Sequence, residues 1–439
     1  MAIAVLNLVE SLPAIVRILL SFVLILLAIK RKWMLGNAFL VGAAALGVLF
    51  AMPLETVAYS ALAALGHPKT ASLSVVVGLI LVLSHSLERS GQMVRLLDRF
   101  QGLIPWPRIN LVVFPALIGL LPMPGGAVFS APMVKRIGQD QKLSAAQLSY
   151  VNYWFRHIWE YWWPLYPGIL LATALAGVNL WKLVLYTFPL TVVVVLSGYW
   201  PIRKVILSQR ANGDPSIPFG HAIRPFLREL APIAWVIAGG LGLGMMASGR
   251  LPWAFGQVEK ELGLITALLA AIVWIWQRNH MGWHQCRAIV AQPAMLKMIY
   301  MVAAILIFKG VLVDSGAVEQ ISREMLRWHI PLMPISIALP FLVGAVAGIT
   351  IAFVGATFPI LISLIQTMGQ SHLMMPYMML AMASGFAGVL LSPLHLCLLL
   401  SNEYFDTTLL PVYKLMQVPV FVLLVSGAAY FGLLSSFLG

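Results

Sequence analysis

Long apolar segments recur along almost the whole chain, from Leu12 to Leu438. Of the 439 residues, 61% are hydrophobic and 10% are charged, whereas a soluble globular domain carries about 25% charged residues. Most of the surface must therefore face lipid instead of water. Because a bilayer core about 30 Å thick needs about 20 apolar residues per helix, about ten segments qualify as transmembrane helices: 12–29, 33–51, 71–87, 148–176, 181–200, 231–248, 261–276, 297–313, 376–400 and 411–436.

Two further apolar segments, 109–137 and 331–367, contain helix-breaking residues. The first is interrupted by Pro122-Met-Pro-Gly-Gly126, and the second near Gly348 and again at Gly355-Ala-Thr-Phe-Pro359. Backbone that leaves a helix inside a membrane exposes unpaired N–H and C=O groups, so it is tolerated only where protein or a wet cavity covers it. We therefore predict two re-entrant hairpins, which enter and leave on the same side.

The distribution of basic residues supports hairpins that do not cross. The net charge is +13, and cytoplasmic loops of membrane proteins are rich in Lys and Arg. With non-crossing hairpins, most of the 28 Lys and Arg residues fall on one side, notably in the loops 88–108, 135–147 and 201–230. The charge thus indicates a multi-pass protein of the cell inner membrane, with the lipid bilayer as partner, both termini extracytoplasmic and no nucleic acid bound.

The two halves of the chain resemble each other. Leu87-Glu-Arg-Ser-Gly91 aligns with Leu312-Val-Asp-Ser-Gly316, 225 positions later, and Pro164-Leu-Tyr166 aligns with Pro393-Leu-His395, 229 positions later. Such self-similarity indicates a structural repeat. Each unit holds an odd number of crossings, so the second is inverted relative to the first.

The predicted fold is therefore an all-α membrane protein of two inverted repeats. The first repeat is 1–200, with hairpin 109–137 and the Pro-broken helix 148–176. A cytoplasmic linker, 201–230, leads to the second repeat, 231–439, with hairpin 331–367 and the Pro-broken helix 376–400. Inverted repeats with discontinuous helices are the architecture of secondary transporters, whose sites lie at mid-membrane where the breaks converge.

This plan of hairpins and broken helices, together with the stretch Gly388-Val-Leu-Leu-Ser-Pro-Leu-His395, resembles the ion-transporter superfamily. That group includes divalent-anion/sodium symporters, gluconate permeases and arsenite pumps, and the chain looks like one of its uncharacterised integral-membrane families. The resemblance implies an elevator mechanism, in which hairpins and broken helices move against a helical scaffold, in a homodimer.

Small and hydroxyl residues surround the predicted hairpin breaks. Gly125 and Gly126 precede the second arm of the first hairpin and allow close backbone approach. Ser130, Thr350 and Thr357 add hydroxyl groups. We predict that these residues contact an anionic substrate, since a helix N-terminus favours negative charge. The alternative is that they only let helices pack tightly.

The stretch Arg156-His-Ile-Trp-Glu-Tyr-Trp-Trp-Pro164 places ionisable residues inside a span, where they are rarely kept without a function. His157 and Glu160 are three positions apart, the spacing of one helix face. We predict that Glu160, with His157 beside it, couples transport by carrying a proton. Substrate contacts are predicted at the residues flanking the two broken helices, namely His157, Trp163, Tyr166, Ser392 and His395. The alternative is a shallow Arg156–Glu160 pair within an interfacial tryptophan belt (Trp154, Trp159, Trp162, Trp163).

No metal or cofactor is predicted. His280, His284 and Cys286 have metal-like spacing but fall in a basic cytoplasmic loop. A nucleotide-binding loop is missing from the sequence, so ATP would require a separate subunit.

The leading function is therefore secondary active transport of a small organic anion, of the carboxylate or sugar-acid type, coupled to protons or sodium. The chain is not expected to be an enzyme. An intramembrane enzyme or an ion channel using the same polar site are the alternatives. The sequence contains no His-Glu-x-x-His or Gly-x-Ser-x-Gly motif, and a paired inverted repeat suits alternating access better than a channel.

Overall fold

A computed structural model describes residues 12–101, 107–123, 125–140, 143–203, 219–247 and 259–438. Within these ranges the ordered elements are helices, without a strand. The helices of the first half are α1 (Ala14–Lys30), α2 (Leu35–Leu49), α3 (Leu54–Gly66), α4 (Pro68–Arg89), α5 (Gln92–Gln101), α6 (Pro107–Gly119), α7 (Ala127–Asp140), α8 (Ala145–Arg156), α9 (Pro167–Ala176), α10 (Leu180–Thr187) and α11 (Leu190–Tyr199).

The described part of the second half is helical as well. Its helices are α12 (Phe219–Ala247), α13 (Glu259–Arg278), α14 (Trp283–Val290), α15 (Pro293–Asp314), α16 (Ala317–Arg327), α17 (Leu332–Ala347), α18 (Thr350–Thr367), α19 (Met374–Leu390), α20 (Leu396–Tyr404) and α21 (Leu409–Leu438). Helix α12 begins inside the segment 201–230 that was predicted to be a linker, and residues 204–218 of that segment lie outside the described residues.

Six of the described helices are long and apolar enough to cross a membrane. A seventh span is obtained if α9 and α10, which meet at an angle of 116°, are counted together. Several apolar helices of this length are typical of a multi-pass membrane protein. Several predicted spans correspond to shorter apolar helices such as α2 and α17, so the count of ten crossings stays a prediction.

The predicted hairpin breaks lie between helices. In the first hairpin, α6 ends at Gly119 and α7 begins at Ala127. In the second, α17 ends at Ala347 and α18 begins at Thr350, because Gly348 turns the chain with φ of 66°, a conformation that glycine adopts without strain.

The second predicted break of that hairpin, at Gly355-Ala-Thr-Phe-Pro359, is wrong. Helix α18 runs unbroken from Thr350 to Thr367 with Pro359 inside it. Membrane helices tolerate an internal proline when neighbouring groups cover the freed backbone carbonyl, and Pro359 is buried.

Both broken helices are interrupted near the predicted prolines. Helix α8 ends at Arg156 and α9 begins at Pro167, while α19 ends at Leu390 and α20 begins at Leu396. Proline suits the first position of α9 because its fixed φ matches a helix and it needs no partner for an N–H. The two hairpins and the two broken helices thus contain four helix breaks, at 120–126, 157–166, 348–349 and 391–395. These breaks position the site.

Candidate functional site

The four helix breaks converge on one cavity of about 250 Å³. Each break contributes a part of the wall. The lining residues include Pro122 and Met123 from the first hairpin, Arg156, His157, Glu160 and Tyr166 from the first broken helix, Gly348, Ile349 and Thr350 from the second hairpin, and Leu394, His395 and Cys397 from the second broken helix. The helix breaks of both halves therefore meet around one cavity.

Arg156, the last residue of α8, places a guanidinium group in the cavity wall. Its side chain is buried, and Nη2 donates to the carbonyl oxygen of Met123 at 2.7 Å. Nη1 lies 3.3 Å from both Nε2 of His157 and Sγ of Cys397, and Nε has no hydrogen-bond partner. Gly126 makes room for this group, because a Cβ there would lie 2.3 Å from Nη2.

Glu160 joins the first broken helix to the second hairpin. It is 7% exposed, and Oε1 accepts a short hydrogen bond from Oγ1 of Thr350. Its other oxygen, Oε2, lies 3.9 Å from Nε2 of His157. Gly168 allows this approach of the two halves, since a Cβ there would lie 2.6 Å from Cγ2 of Thr350. A carboxyl group is thus held at the start of α18, inside the protein.

Two histidines face each other across the cavity wall. Nδ1 of His157 lies 2.6 Å from the carbonyl oxygen of Tyr153, which can only accept, so Nδ1 carries a hydrogen. Nε2 of His157 lies 3.1 Å from Nε2 of His395. Nδ1 of His395 is buried and has no hydrogen-bond partner. The two rings therefore contact each other through their Nε2 atoms.

The remaining wall combines helix starts with apolar side chains. Helices α9, α18 and α20 begin at Pro167, Thr350 and Leu396, all of which line the cavity. Each helix N-terminus carries about half a positive charge. Together with the Arg156 guanidinium, these helix starts favour an anion. Much of the rest of the wall is apolar, with Leu81, Met298 and Ile351 among the lining residues.

His157, His395 and Cys397 bring three potential metal-ligating atoms within 4.8 Å of one another. The guanidinium of Arg156, however, lies 3.3 Å from two of these atoms. Two like unit charges about 4 Å apart repel by about 4 kcal/mol at an effective dielectric constant of about 20. The fixed charge of Arg156 therefore favours an anion over a cation at this position.

Five of the residues singled out from the sequence line the cavity together: His157, Glu160, Tyr166, Thr350 and His395. Tyr166 is fixed by donating its hydroxyl hydrogen to the carbonyl oxygen of Gly119 at 2.7 Å. Gly125 and Gly126 are not among the lining residues, although Gly126 packs against the guanidinium of Arg156. Gly125 turns the chain with φ of 74° before α7 begins.

The other candidates lie elsewhere. Ser130 donates to Oδ1 of Asn152 at 2.6 Å, in a buried hydrogen-bond network between helices. Thr357 donates to the carbonyl oxygen of Phe353 within α18. Ser392 accepts a hydrogen bond from the N–H of Leu394 at 3.3 Å. Trp163 is half-buried, and it is not among the residues that line the cavity.

Sequence reasoning assigned no substrate-binding role to Arg156 or Cys397, although both line the cavity. The Arg156–Glu160 pair of the alternative is not formed among the described residues: both side chains are buried, and Arg156 donates to the carbonyl oxygen of Met123. Trp154 is buried as well and donates to the carbonyl oxygen of Val194. The sequence does contain a signal for Arg156, because it lies inside a predicted span, where ionisable residues are rarely kept without a function.

A search among curated proteins finds no match to the chain. A family model does match it, over residues 14–215 and 256–434. The matched ranges cover most of the sequence, including all four helix breaks and the residues of the cavity wall. The chain therefore belongs to the family described as "Protein of unknown function (DUF401)".

Proposed function

We propose that this protein is a secondary active transporter of a small organic anion, coupled to protons or sodium. One observation carries the proposal: helix breaks from both halves of the chain enclose a single cavity that contains a buried arginine, a carboxyl group and two imidazoles. Discontinuous helices that meet around ionisable residues are typical of transporter sites. The helix starts in the wall add positive partial charge for the substrate.

The proposal includes two inverted repeats, and helix positions support it. Helices α4 and α15 begin at Pro68 and Pro293, 225 positions apart, and α9 and α20 begin at Pro167 and Leu396, 229 positions apart. Close backbone contacts follow the same offsets. A Cβ on Gly119 would lie 1.9 Å from the carbonyl oxygen of Arg156, and one on Gly344 would lie 2.3 Å from that of Gly385.

Helix packing supports the same pairing of elements. Helix α9 packs against α18, and its counterpart α20 packs against α7, the counterpart of α18. Likewise α4 packs against α13, and α15 packs against α2. Each of these contacts between the halves thus has a partner in which the two halves exchange roles, as expected for a pseudo-twofold axis. An odd number of crossings per half would place that axis in the membrane plane.

The transport mechanism that we propose is elevator-type alternating access in a homodimer of the cell inner membrane. Hairpin helices α6, α7, α17 and α18 pack with the broken helices around the cavity, whereas α2, α4, α13 and α15 pair with one another. This division suits a mobile substrate-carrying unit and a scaffold. The homodimer and the choice of membrane rest on the resemblance and on the charge of the loops.

Reconstitution into proteoliposomes tests the proposed function. Vesicles are given a proton gradient, a sodium gradient or neither, and uptake is measured for isovalerate, benzoate and gluconate. We expect at least one of these anions to accumulate, with one gradient, above both its external concentration and its level in protein-free vesicles, which weak acids enter in their neutral form. The same anion should exchange without a gradient faster than in protein-free vesicles. Equilibration that never exceeds the external concentration would indicate a channel. A lack of both accumulation and exchange for all three anions would contradict the proposal.

A further inference from the structure

We propose that the protein has a second anion site, an outer vestibule in which Lys69 and Lys309 together bind the carboxylate of the transported anion on its way to or from the central cavity at the helix breaks. The vestibule is a cavity of about 400 Å³ lined by His67, Lys69, Lys309 and the end of α9, residues 174–177. The inference rests on the proposed function and deepens it, because it adds a binding site to the transport path.

Three helices connect the vestibule to the central cavity. In each helix one residue lines the vestibule and another lines the central cavity: Lys69 and Leu81 in α4, Leu175 and Pro167 in α9, and Lys309 and Met298 in α15. At a rise of 1.5 Å per residue, the two residues are about 12–18 Å apart along each helix. Helix α4 packs against both α9 and α15. The vestibule therefore lies beyond the central cavity, at one end of the same group of helices.

Neither lysine of the vestibule has an ion-pair partner within the part of the chain that the structure describes, where the ion pairs involve other side chains. The charge that acts on Lys309 is instead that of Lys69, which has the same sign. Lys309 also lies within a candidate membrane span, where a charged side chain is rarely kept without a function. A carboxylate bound between the two ammonium groups would offset their repulsion.

Donors for such an anion are available on three side chains. An ammonium group has three N–H donors, and Nζ of Lys309 uses one of them for the carbonyl oxygen of Leu175, at 3.1 Å. Among the described residues, Lys69 forms hydrogen bonds through its backbone alone. Nδ1 of His67 accepts from the backbone N–H of Lys69 at 3.2 Å, so the neutral His67 ring carries its hydrogen on Nε2.

The helix ends at the vestibule add to its preference for an anion. Helix α4 begins at Pro68, and a helix N-terminus carries about half a positive charge. Lys69 in the first turn opposes that dipole, and the turn contains no acidic residue to compensate. The end of α9 has the opposite partial charge, which the hydrogen bond from Lys309 offsets. Positive charge at Lys69 is therefore unfavourable in the empty vestibule and favourable once an anion is bound.

Two acidic side chains line the adjoining cavities but are not among the residues that line the vestibule. Asp314 lines a cavity of about 290 Å³ and accepts a hydrogen bond from Oγ of Ser60. Glu319 lines a cavity of about 260 Å³. Lys309 lines both of these cavities as well as the vestibule. Since Asp314 and Glu319 repel further negative charge, a monocarboxylate suits the vestibule better than a dicarboxylate.

The vestibule and the central cavity would thus have different tasks. A cleft lined by charges of one sign concentrates ions of the opposite sign and speeds their association. The two lysines attract the carboxylate group, whatever the rest of the molecule. Selection among carboxylates is left to the central cavity, which contacts more of the substrate.

Lysine footprinting of the purified protein in detergent tests the inference. Amines are acetylated with sulfosuccinimidyl acetate while benzoate replaces chloride at constant ionic strength, and each lysine is quantified by peptide mass spectrometry. We expect saturating benzoate to slow acetylation of Lys69 and Lys309 by roughly threefold or more, because an ammonium group bound to a carboxylate retains the proton that it must lose to react. Benzamide, which is uncharged, should protect neither. Lys182, which is exposed and lies outside the vestibule, is the internal control and should react at one rate throughout.

Variants show whether the two lysines share one anion. In Lys69→Gln, benzoate should no longer protect Lys309, and in Lys309→Gln it should no longer protect Lys69. Glutamine at position 309 can still donate to the carbonyl oxygen of Leu175, so the end of α9 stays in place. Lys182→Gln is the matched control and should keep the protection of both lysines. Arg156→Gln alters the central cavity alone, and it should keep that protection as well.

The outcomes separate this inference from the proposed function. If benzoate protects neither lysine, or protects Lys309 equally well in Lys69→Gln, the shared site is overturned while transport stands. Loss of protection in Arg156→Gln would place the bound anion in the central cavity, and this also overturns the vestibule site. Protection of both lysines, without accumulation or exchange of any of the three anions by proteoliposomes, would confirm an anion site but contradict the proposed function.

Discussion

The Nε2 atoms of His157 and His395 lie 3.1 Å apart, although 238 positions separate the two residues in the chain. His157 directly follows α8, and His395 directly precedes α20. The contact therefore joins the break of one half to the break of the other, beside the buried Arg156 and Glu160.

Replacing Arg156 should weaken substrate binding in a graded way. Arg156→Lys keeps the charge but cannot reach Met123 and the cavity at once, so we expect at least tenfold weaker binding, and a larger loss for Arg156→Gln. A hydrogen bond to a charged group contributes about 1.5–3 kcal/mol, roughly 10- to 100-fold. Concentration dependence of uptake measures the effect. Arg17→Lys is the control, because Arg17 is also buried but bonds to Leu49 and Gln320 outside the cavity. Wild-type affinity in Arg156→Lys would remove Arg156 from the site.

Replacing Glu160 should separate exchange from accumulation. Glu160→Gln keeps the shape and can still accept the hydrogen bond from Thr350, but it cannot release a proton. We expect the variant to fold and to exchange substrate between compartments, yet to lose accumulation driven by a pH gradient. Glu229→Gln, at a buried carboxyl group paired with Arg278 at 2.7 Å, should keep pH-driven accumulation. Retention of wild-type pH dependence by Glu160→Gln would make Glu160 a structural residue.

The helix breaks could be predicted from sequence because they depend on local chemistry. Gly348 has a positive φ in the structure, and Pro167 begins a helix; glycine and proline favour these conformations wherever they occur. The break expected at Pro359 shows the limit of that reasoning. An internal proline is also compatible with a continuous helix, and only the packing around it decides.

The composition of the site was harder to predict. On a continuous helix of 3.6 residues per turn, the side chain of Arg156 would point about 100° away from that of His157, the next residue. The helix instead ends at Arg156, so the backbone turns and the guanidinium reaches the same cavity as Glu160. Cys397 contacts Arg156 across 241 positions, a distance in sequence over which no local pattern carries information.

Adding a methyl group between α6 and α8 should destabilise the protein. In Gly119→Ala the new Cβ would lie 1.9 Å from the carbonyl oxygen of Arg156, so the helices must separate, at a cost of about 1–3 kcal/mol. We expect a lower midpoint of thermal unfolding, followed by tryptophan fluorescence in detergent. Gly432→Ala in α21 has open space around the new Cβ and should be neutral or slightly stabilising. Equal midpoints for the two variants would mean that α6 and α8 do not pack this closely.

The two hairpins should be accessible from opposite sides of the membrane. Arg136, in the second arm of the first hairpin, and Thr367, at the end of the second, are both exposed. In a background with Cys286 and Cys397 replaced by alanine, each position is changed to cysteine and treated with a membrane-impermeant maleimide. If the repeats are inverted, Thr367→Cys should react in intact cells, and Arg136→Cys only after the membrane is permeabilised.

Labelling depends on topology alone, so loss of transport in the cysteine-free background does not disturb it. Permeabilised cells should label both variants, and the cysteine-free protein should give no signal. Reaction of Arg136→Cys in intact cells would mean that the first hairpin opens outward or crosses. The loops rich in Lys and Arg that follow it would then lie outside, against the usual charge distribution. Equal labelling of both positions from one side would require parallel instead of inverted halves, and the pseudo-twofold relation between α9–α18 and α20–α7 would then need an axis along the membrane normal.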